Sequence, residues 1–243
     1  MKVDRRKKYY LVLDVESANT LQQPLVYDIG YSVVDKKGNI YYSKSHAITD
    51  LFFDEKKIFN NDELMNSAYY SKKLPQYFEQ KGKWKFNPFL KVRKDILKIM
   101  KEFNINTVCA YNCSFDRNAL NTTLRYITKS KLKWFFPYGT EFQCIWNMAC
   151  QVICTQKRYI EMAIENNWFT KSGNMLTNAE KVWSYLINDK DFEEEHTGLE
   201  DVKIEVQIMA RCLAQHKPMK TNIYRACWRI PQKKVREVRK FLI

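Results

Sequence analysis

The chain has 243 residues, 45% of them hydrophobic and 14% aromatic, which excludes a disordered or collagen-like chain and suffices for one large domain, or a domain with a small appendage. Lysine and arginine outnumber aspartate and glutamate by 41 to 27, a formal net charge of +14. The apolar run 9–13 is shorter than a secretory core of roughly 7–15 residues or a membrane span of about 20, so the sequence reads as a soluble protein without a membrane partner, kept in a reducing cytoplasm.

In chain order, YYLVLDVES (9–17) is a nearly unbroken apolar run and predicts a buried strand. LVYDIGYSVVD (25–35) and IYYSKSHAI (40–48) predict two more, joined by the turn KKGN, so the chain opens with an antiparallel meander. DELMNSAYYSKKL (62–74) allows a helix, and KGKWKFNPF (81–89) reads as loop. Residues 89–103 carry Leu90, Val92, Ile96, Ile99 and Met100 on a helical period. A short buried strand follows in TVCAYN (107–112), a helix in FDRNALNTTLRYI (115–127) and a last strand in EFQCIW (141–146). From Asn147 onward the pattern is mostly helical. A meander followed by alternating helix and strand predicts a mixed α/β sheet with helices on its faces.

The seven cysteines are odd in number and contain no CxxC pair, so buried free thiols are expected rather than a zinc site. Basic residues concentrate in three places: 2–8, the aromatic-interleaved KGKWKF (81–86), and 217–243. Together they favour a polyphosphate partner, nucleic acid over an anionic membrane. In the last of them, Tyr224 and Trp228 with interleaved arginines suit either a clamp on a single strand or a basic helix packed on the domain.

The acids are placed against this basic background. Asp14 and Glu16 are two apart on a predicted strand, so both carboxylates share one face, with Leu13 and Val15 on the other. Two acids on a central strand are costly without a compensating cation. Asp116 falls where a strand gives way to a helix, the edge at which α/β sheets bind ligands. FEEEHTGLED (192–201) crowds five carboxylates around His196. Within it TGLE matches a capping box, with Thr197 as N-cap, Glu200 reaching back and the helix starting at Gly198. That leaves His196 on a flexible lead-in as a proton carrier and fixes Asp201 in the helix. Four carboxylates, Asp14, Glu16, Asp116 and Asp201, select hard cations, Mg²⁺ or Mn²⁺. Two such ions stabilise both oxygens of a phosphodiester displacement, and an imidazole near neutral pKa serves as its base.

LDVES, AYNCSFDRNAL and HTGLEDVKIE, in that order across residues 11 to about 210, resemble the DEDDh exonucleases, the DnaQ-like branch of the ribonuclease H-like superfamily. LTNAEKVWSYLIN (176–188) adds a softer similarity to viral members, for which the compartment would be the host cytoplasm. The resemblance implies a ribonuclease H-like mixed five-stranded sheet, antiparallel meander then parallel strands, with helices on both faces. It implies a 3′-to-5′ exonuclease that uses two ions on single-stranded 3′ ends and releases nucleoside 5′-monophosphates. Asp14 would bridge both metals, Glu16 and Asp201 would hold the water-activating one, Asp116 would serve the second, and His196 would be the general base. The backbone of Val15, Ser17 and Ala18, supported by Asn112, would hold the terminal nucleotide. The first block departs from the family, which has threonine after the glutamate and often threonine and glycine next. Here Ser17, Ala18 and Asn19 stand there, which leaves DNA versus RNA open. On this reading residues 1–214 form the exonuclease domain and 215–243 a basic extension packed on it, with a polymerase or replication partner left open. The alternative is a non-catalytic nucleic-acid-binding module on the same fold.

Overall fold

Strand β1 (Tyr9–Ala18) divides its apolar side chains between two cores: Tyr10 and Val12 enter one, and Tyr9, Leu11, Leu13 and Val15 the other. This is the period-two geometry of a strand buried on both faces. The computed structural model describes residues 3–18, 21–52, 77, 79 and 83–239, so the helix expected over 62–74 lies outside the described residues. β2 (Leu25–Asp35) and β3 (Ile40–Ile48) complete the meander over the spans read from sequence. In the connecting turn the Asp35 carboxylate accepts the N–H groups of Lys37 and Asn39, and Gly38 takes a left-handed φ of 81°.

The chain continues through α1 (Thr49–Phe52), β4 (Lys85–Asn87), α2 (Phe89–Glu102), β5 (Thr107–Ala110), α3 (Cys113–Thr128) and β6 (Glu141–Cys144). Five further helices follow: α4 (Ile145–Val152), α5 (Lys157–Glu165), α6 (Ala179–Ile187), α7 (Gly198–Ala214) and α8 (Arg229–Arg239). The sheet order is β4-β3-β2-β1-β5-β6, with β4, β5 and β6 each parallel to a neighbour. One face is covered by α2 and α3 and the other by α4 through α8. The mixed α/β sheet with helices on both faces is therefore the one expected.

Three details differ from expectation. Among the described residues the sheet has six strands, not five, because Lys85–Asn87 pairs with His46–Ile48 inside a segment read as loop; three residues are too few for an alternation to register. β6 ends at Cys144, and Ile145 already belongs to α4. In α2, Leu90 is 47% exposed, and Phe89 takes the inward position. All seven cysteines are free and buried, as expected.

The start of α7 rests on the backbone of β2. A Cβ on Gly30 would lie 2.1 Å from the carbonyl carbon of Gly198, and one on Gly198 would lie 2.5 Å from the Gly30 nitrogen. Any side chain at either position would push the helix off the sheet. Gly30 pairs with Asp14 across the strands, so this contact sets the height of α7 over Asp14.

Candidate active site

Asp14 and Glu16 share the parity of Tyr10 and Val12 and so point towards α7, where helix and sheet meet. Immediately after Glu16 the register shifts in a bulge at Glu16/Ser17, beside the acids, and pairing resumes at Ser17 with Val26. On α7, Asp201 and Glu205 are one turn apart on one face, 8% and 2% exposed. Asp14, Glu16 and Asp201 bring one carboxylate oxygen each to within 4.8 Å of the others. Asp116, 3% exposed, comes from the first turn of α3 and lies beside the main chain of Val15. Its negative charge acts on both Asp14 and Glu205.

The electrostatics of this cluster are one-sided. Burial is the main force raising the Asp14 pKa well above the usual carboxylate range, and the charges that add to it are Glu205, Asp116, Glu16 and Asp201. Burial likewise raises Asp116 to about 7 and Glu205 well above the usual range. The fold thus gathers carboxylates that repel one another and resist ionisation. An all-oxygen donor set of this kind fits hard divalent cations, Mg²⁺ or Mn²⁺, whose charge would permit full ionisation.

The raised pKa values make metal-free stability depend on pH. The folded chain keeps protons that the unfolded chain releases, so stability is lost as pH rises from the ordinary carboxylate range through the folded-state value of about 7 for Asp116. EDTA-treated protein is expected to melt at a lower temperature at pH 8 than at pH 5, and Mg²⁺ or Mn²⁺ is expected to restore the loss at pH 8. A melting temperature that climbs across that range without metal would contradict the repulsion.

His196 stands just outside α7 in the left-handed region, φ 51°, a strained backbone that histidine adopts more readily than most residues. Its Nδ1 lies 3.7 Å from a Glu194 carboxylate oxygen, with the Glu194 side chain 10% and the His196 side chain 38% exposed. Glu180, Glu194 and His196 also approach one another within 4.8 Å, but Lys181 already sits 2.7 Å from the Glu180 carboxylate. The helix does begin at Gly198 with Thr197 as N-cap, yet the capping box does not form. Among the described residues the buried Thr197 hydroxyl has no partner, and Glu200 pairs with Lys203 at 2.8 Å. Asp28 on β2 caps the helix instead, accepting the Gly198 N–H at 3.1 Å and the Tyr77 hydroxyl at 2.7 Å.

The nucleotide-binding candidates are divided. The Val15 main chain lies beside the Asp116 carboxylate, and the Ala18 side chain packs in a small core with Leu25 and Tyr27, so only main chain is offered there. Ser17 is half-buried just past the bulge. Asn112 is exposed at the N-cap of α3 and makes no side-chain cap bond.

Sequence reasoning missed Glu205, Asp28 and the Gly30/Gly198 contact. Glu205 had a readable signal, an acid four residues after Asp201 in an otherwise apolar helical stripe. Asp28 was likewise an acid inside a strand that is buried from end to end. Nothing in the sequence pairs Gly30 with Gly198, which are joined only by the tertiary fold.

No protein-family model matches the chain, and no curated protein matches it. Solved structures do match. The zinc-bound form of the E. coli exonuclease I complex with single-stranded DNA aligns with a TM-score of 0.52 and 12% identity, over 87% of this chain and 41% of that one. A product-bound exonuclease I gives 0.51 and 13%, over 86% and 44%, and exonuclease I with the inhibitor BCBP gives 0.51 and 12%, over 87% and 42%. At these identities the likeness is one of fold, and this chain spans less than half the length of each of those proteins. The mixed six-stranded sheet is a ribonuclease H-like fold shared with exonuclease I.

Proposed function

We propose that this protein is a two-metal-ion 3′-to-5′ exonuclease that hydrolyses the terminal phosphodiester of single-stranded nucleic acid and releases nucleoside 5′-monophosphates. The observation that carries the reading is the convergence of Asp14, Glu16, Asp116 and Asp201, with Glu205 beneath them, in a chain of net charge +14. Such mutual repulsion has a use only where cations and a polyanion meet. The exonuclease I neighbours support the reading at the level of fold, and the single-stranded DNA in one of them makes DNA the first substrate to test.

The four acids would hold two divalent ions, Mg²⁺ or Mn²⁺, which when bound supply positive charge to the attacking and leaving oxygens. The chain's own residues do the rest. His196 takes the proton of the attacking water at Nε2, because Nδ1 faces Glu194, and that carboxylate stabilises the imidazolium formed. The bond from phosphorus to the 3′-oxygen breaks, and the shortened strand leaves with a 3′-hydroxyl. The main chain of Val15, Ser17 and Ala18 and the amide of Asn112 hold the terminal nucleotide. Residues 1–214 form the catalytic domain and 215–243 an extension of it.

The test uses 5′-labelled single-stranded DNA and RNA with Mg²⁺ or Mn²⁺. A ladder shortening from the 3′ end, with 5′-mononucleotides released, is expected. Retention of the strand without any release in either metal would make the protein a binding module instead.

A further inference from the structure

Beyond the acids, a cavity of about 430 Å³ opens on the other side of Tyr111. The Tyr111 main chain lies beside Glu205, while its side chain lines the cavity and its hydroxyl donates to the Thr177 carbonyl at 2.6 Å. One residue at the end of β5 therefore separates the carboxylates from this space. Trp146 and Trp228, both half-buried, form part of its wall, and Asn112, Asn174 and Asn178 bring amides to it. Asn112 and Asn178 occupy the N-cap positions of α3 and α6, where asparagine ordinarily accepts a helix N–H. Neither makes a side-chain cap bond.

The wall that supplies Trp228 is fastened in place. The Gln232 side chain accepts the Met175 N–H at 3.1 Å and donates to its carbonyl at 3.2 Å, tying the start of α8 to the loop that carries Asn174. The Thr221 carbonyl accepts the Cys144 N–H, and the Asn222 carbonyl accepts the Asn147 amide. Arg225 reaches over α3 to donate to the Ser114 hydroxyl at 2.9 Å, and the Arg229 guanidinium lies 5.2 Å from the Trp228 ring centroid. Arg225, Arg229 and Lys171 are all exposed around this region.

Indole rings, amide groups and a cationic surround are together the chemistry that recognises a base on a phosphodiester strand. We propose that this cavity is a nucleobase subsite, receiving one base of the single strand whose 3′ end reaches the acids. The inference rests on the exonuclease reading for the direction of the strand and adds to it a specific stacking residue, Trp228, supplied by the segment beyond α7.

The test is equilibrium binding of short labelled single strands in which each position from the 3′ end is made abasic in turn. Asp14→Asn protein keeps the strands intact. One position is expected to lose affinity by about 5- to 150-fold when its base is removed. Trp228→Leu should abolish that position's loss, while Trp228→Phe, which keeps a ring, should retain it and controls for folding. If no position stands out, or if the loss persists unchanged in Trp228→Leu, the proposal is overturned. Nucleotide release by the wild-type chain is scored separately. A nuclease without this subsite shows release but no position-specific loss, and a binding module that has it shows the reverse.

Discussion

Asp14→Asn is expected to lower nucleotide release by roughly 10³-fold or more, since the charge lost would serve a metal interaction of several kcal/mol. The same substitution should raise the melting temperature of EDTA-treated protein. Asparagine keeps the volume and one acceptor oxygen but removes the charge opposed by Glu205, Asp116, Glu16 and Asp201. It should also weaken the stabilisation that Mg²⁺ or Mn²⁺ gives the wild type, because fewer charges then favour the ion in the folded state. Lower activity with higher metal-free stability marks a site held against repulsion for a purpose. Wild-type release by Asp14→Asn would remove these acids from the reacting centre. A lower metal-free melting temperature would show that Asp14 supports the fold through contacts other than its charge.

His196→Ala carries the second large effect. Loss of a positioned general base slows such reactions by roughly 10²–10⁴-fold. The residue stands on strained backbone outside α7 with its side chain 38% exposed, so its removal should leave the melting temperature and strand affinity close to wild type. The loss should fall on turnover, and the pH dependence that an imidazole base gives the rate should vanish with it. Equal turnover in His196→Ala and wild type would move the proton transfer to another group. An equal fall in strand affinity would make His196 a binding residue instead.

The two variants probe residues of different legibility. Asp14 and Glu16 were readable because a strand's period of two assigns faces without tertiary information. Asp116 and Asp201 were readable as ends of elements, where a strand passes to a helix and where a helix starts. The capping box was misread because its pattern fits many helix starts, and here Asp28, 170 positions away in sequence, takes the Gly198 N–H instead. Glu205 was overlooked because an acid on a helix is usually solvated, and only the packing of α7 against β1 and β2 encloses it. The strand Lys85–Asn87 was lost for a related reason, since an edge strand of three residues is defined by its partner and not by its own pattern.

By itself, the sequence determined the meander, most of the helices and the buried thiols, and it singled out the acids that the fold brings together. Each of these follows from local periodicity, side-chain chemistry or blocks read in order. The tertiary structure alone decided how close the acids come, because that distance is set where α7 rests on Gly30 and no side chain intervenes. It likewise decided that the basic C-terminal segment folds back to put Trp228 beside Asn112, since contacts between residues more than a hundred positions apart leave no trace in a local pattern.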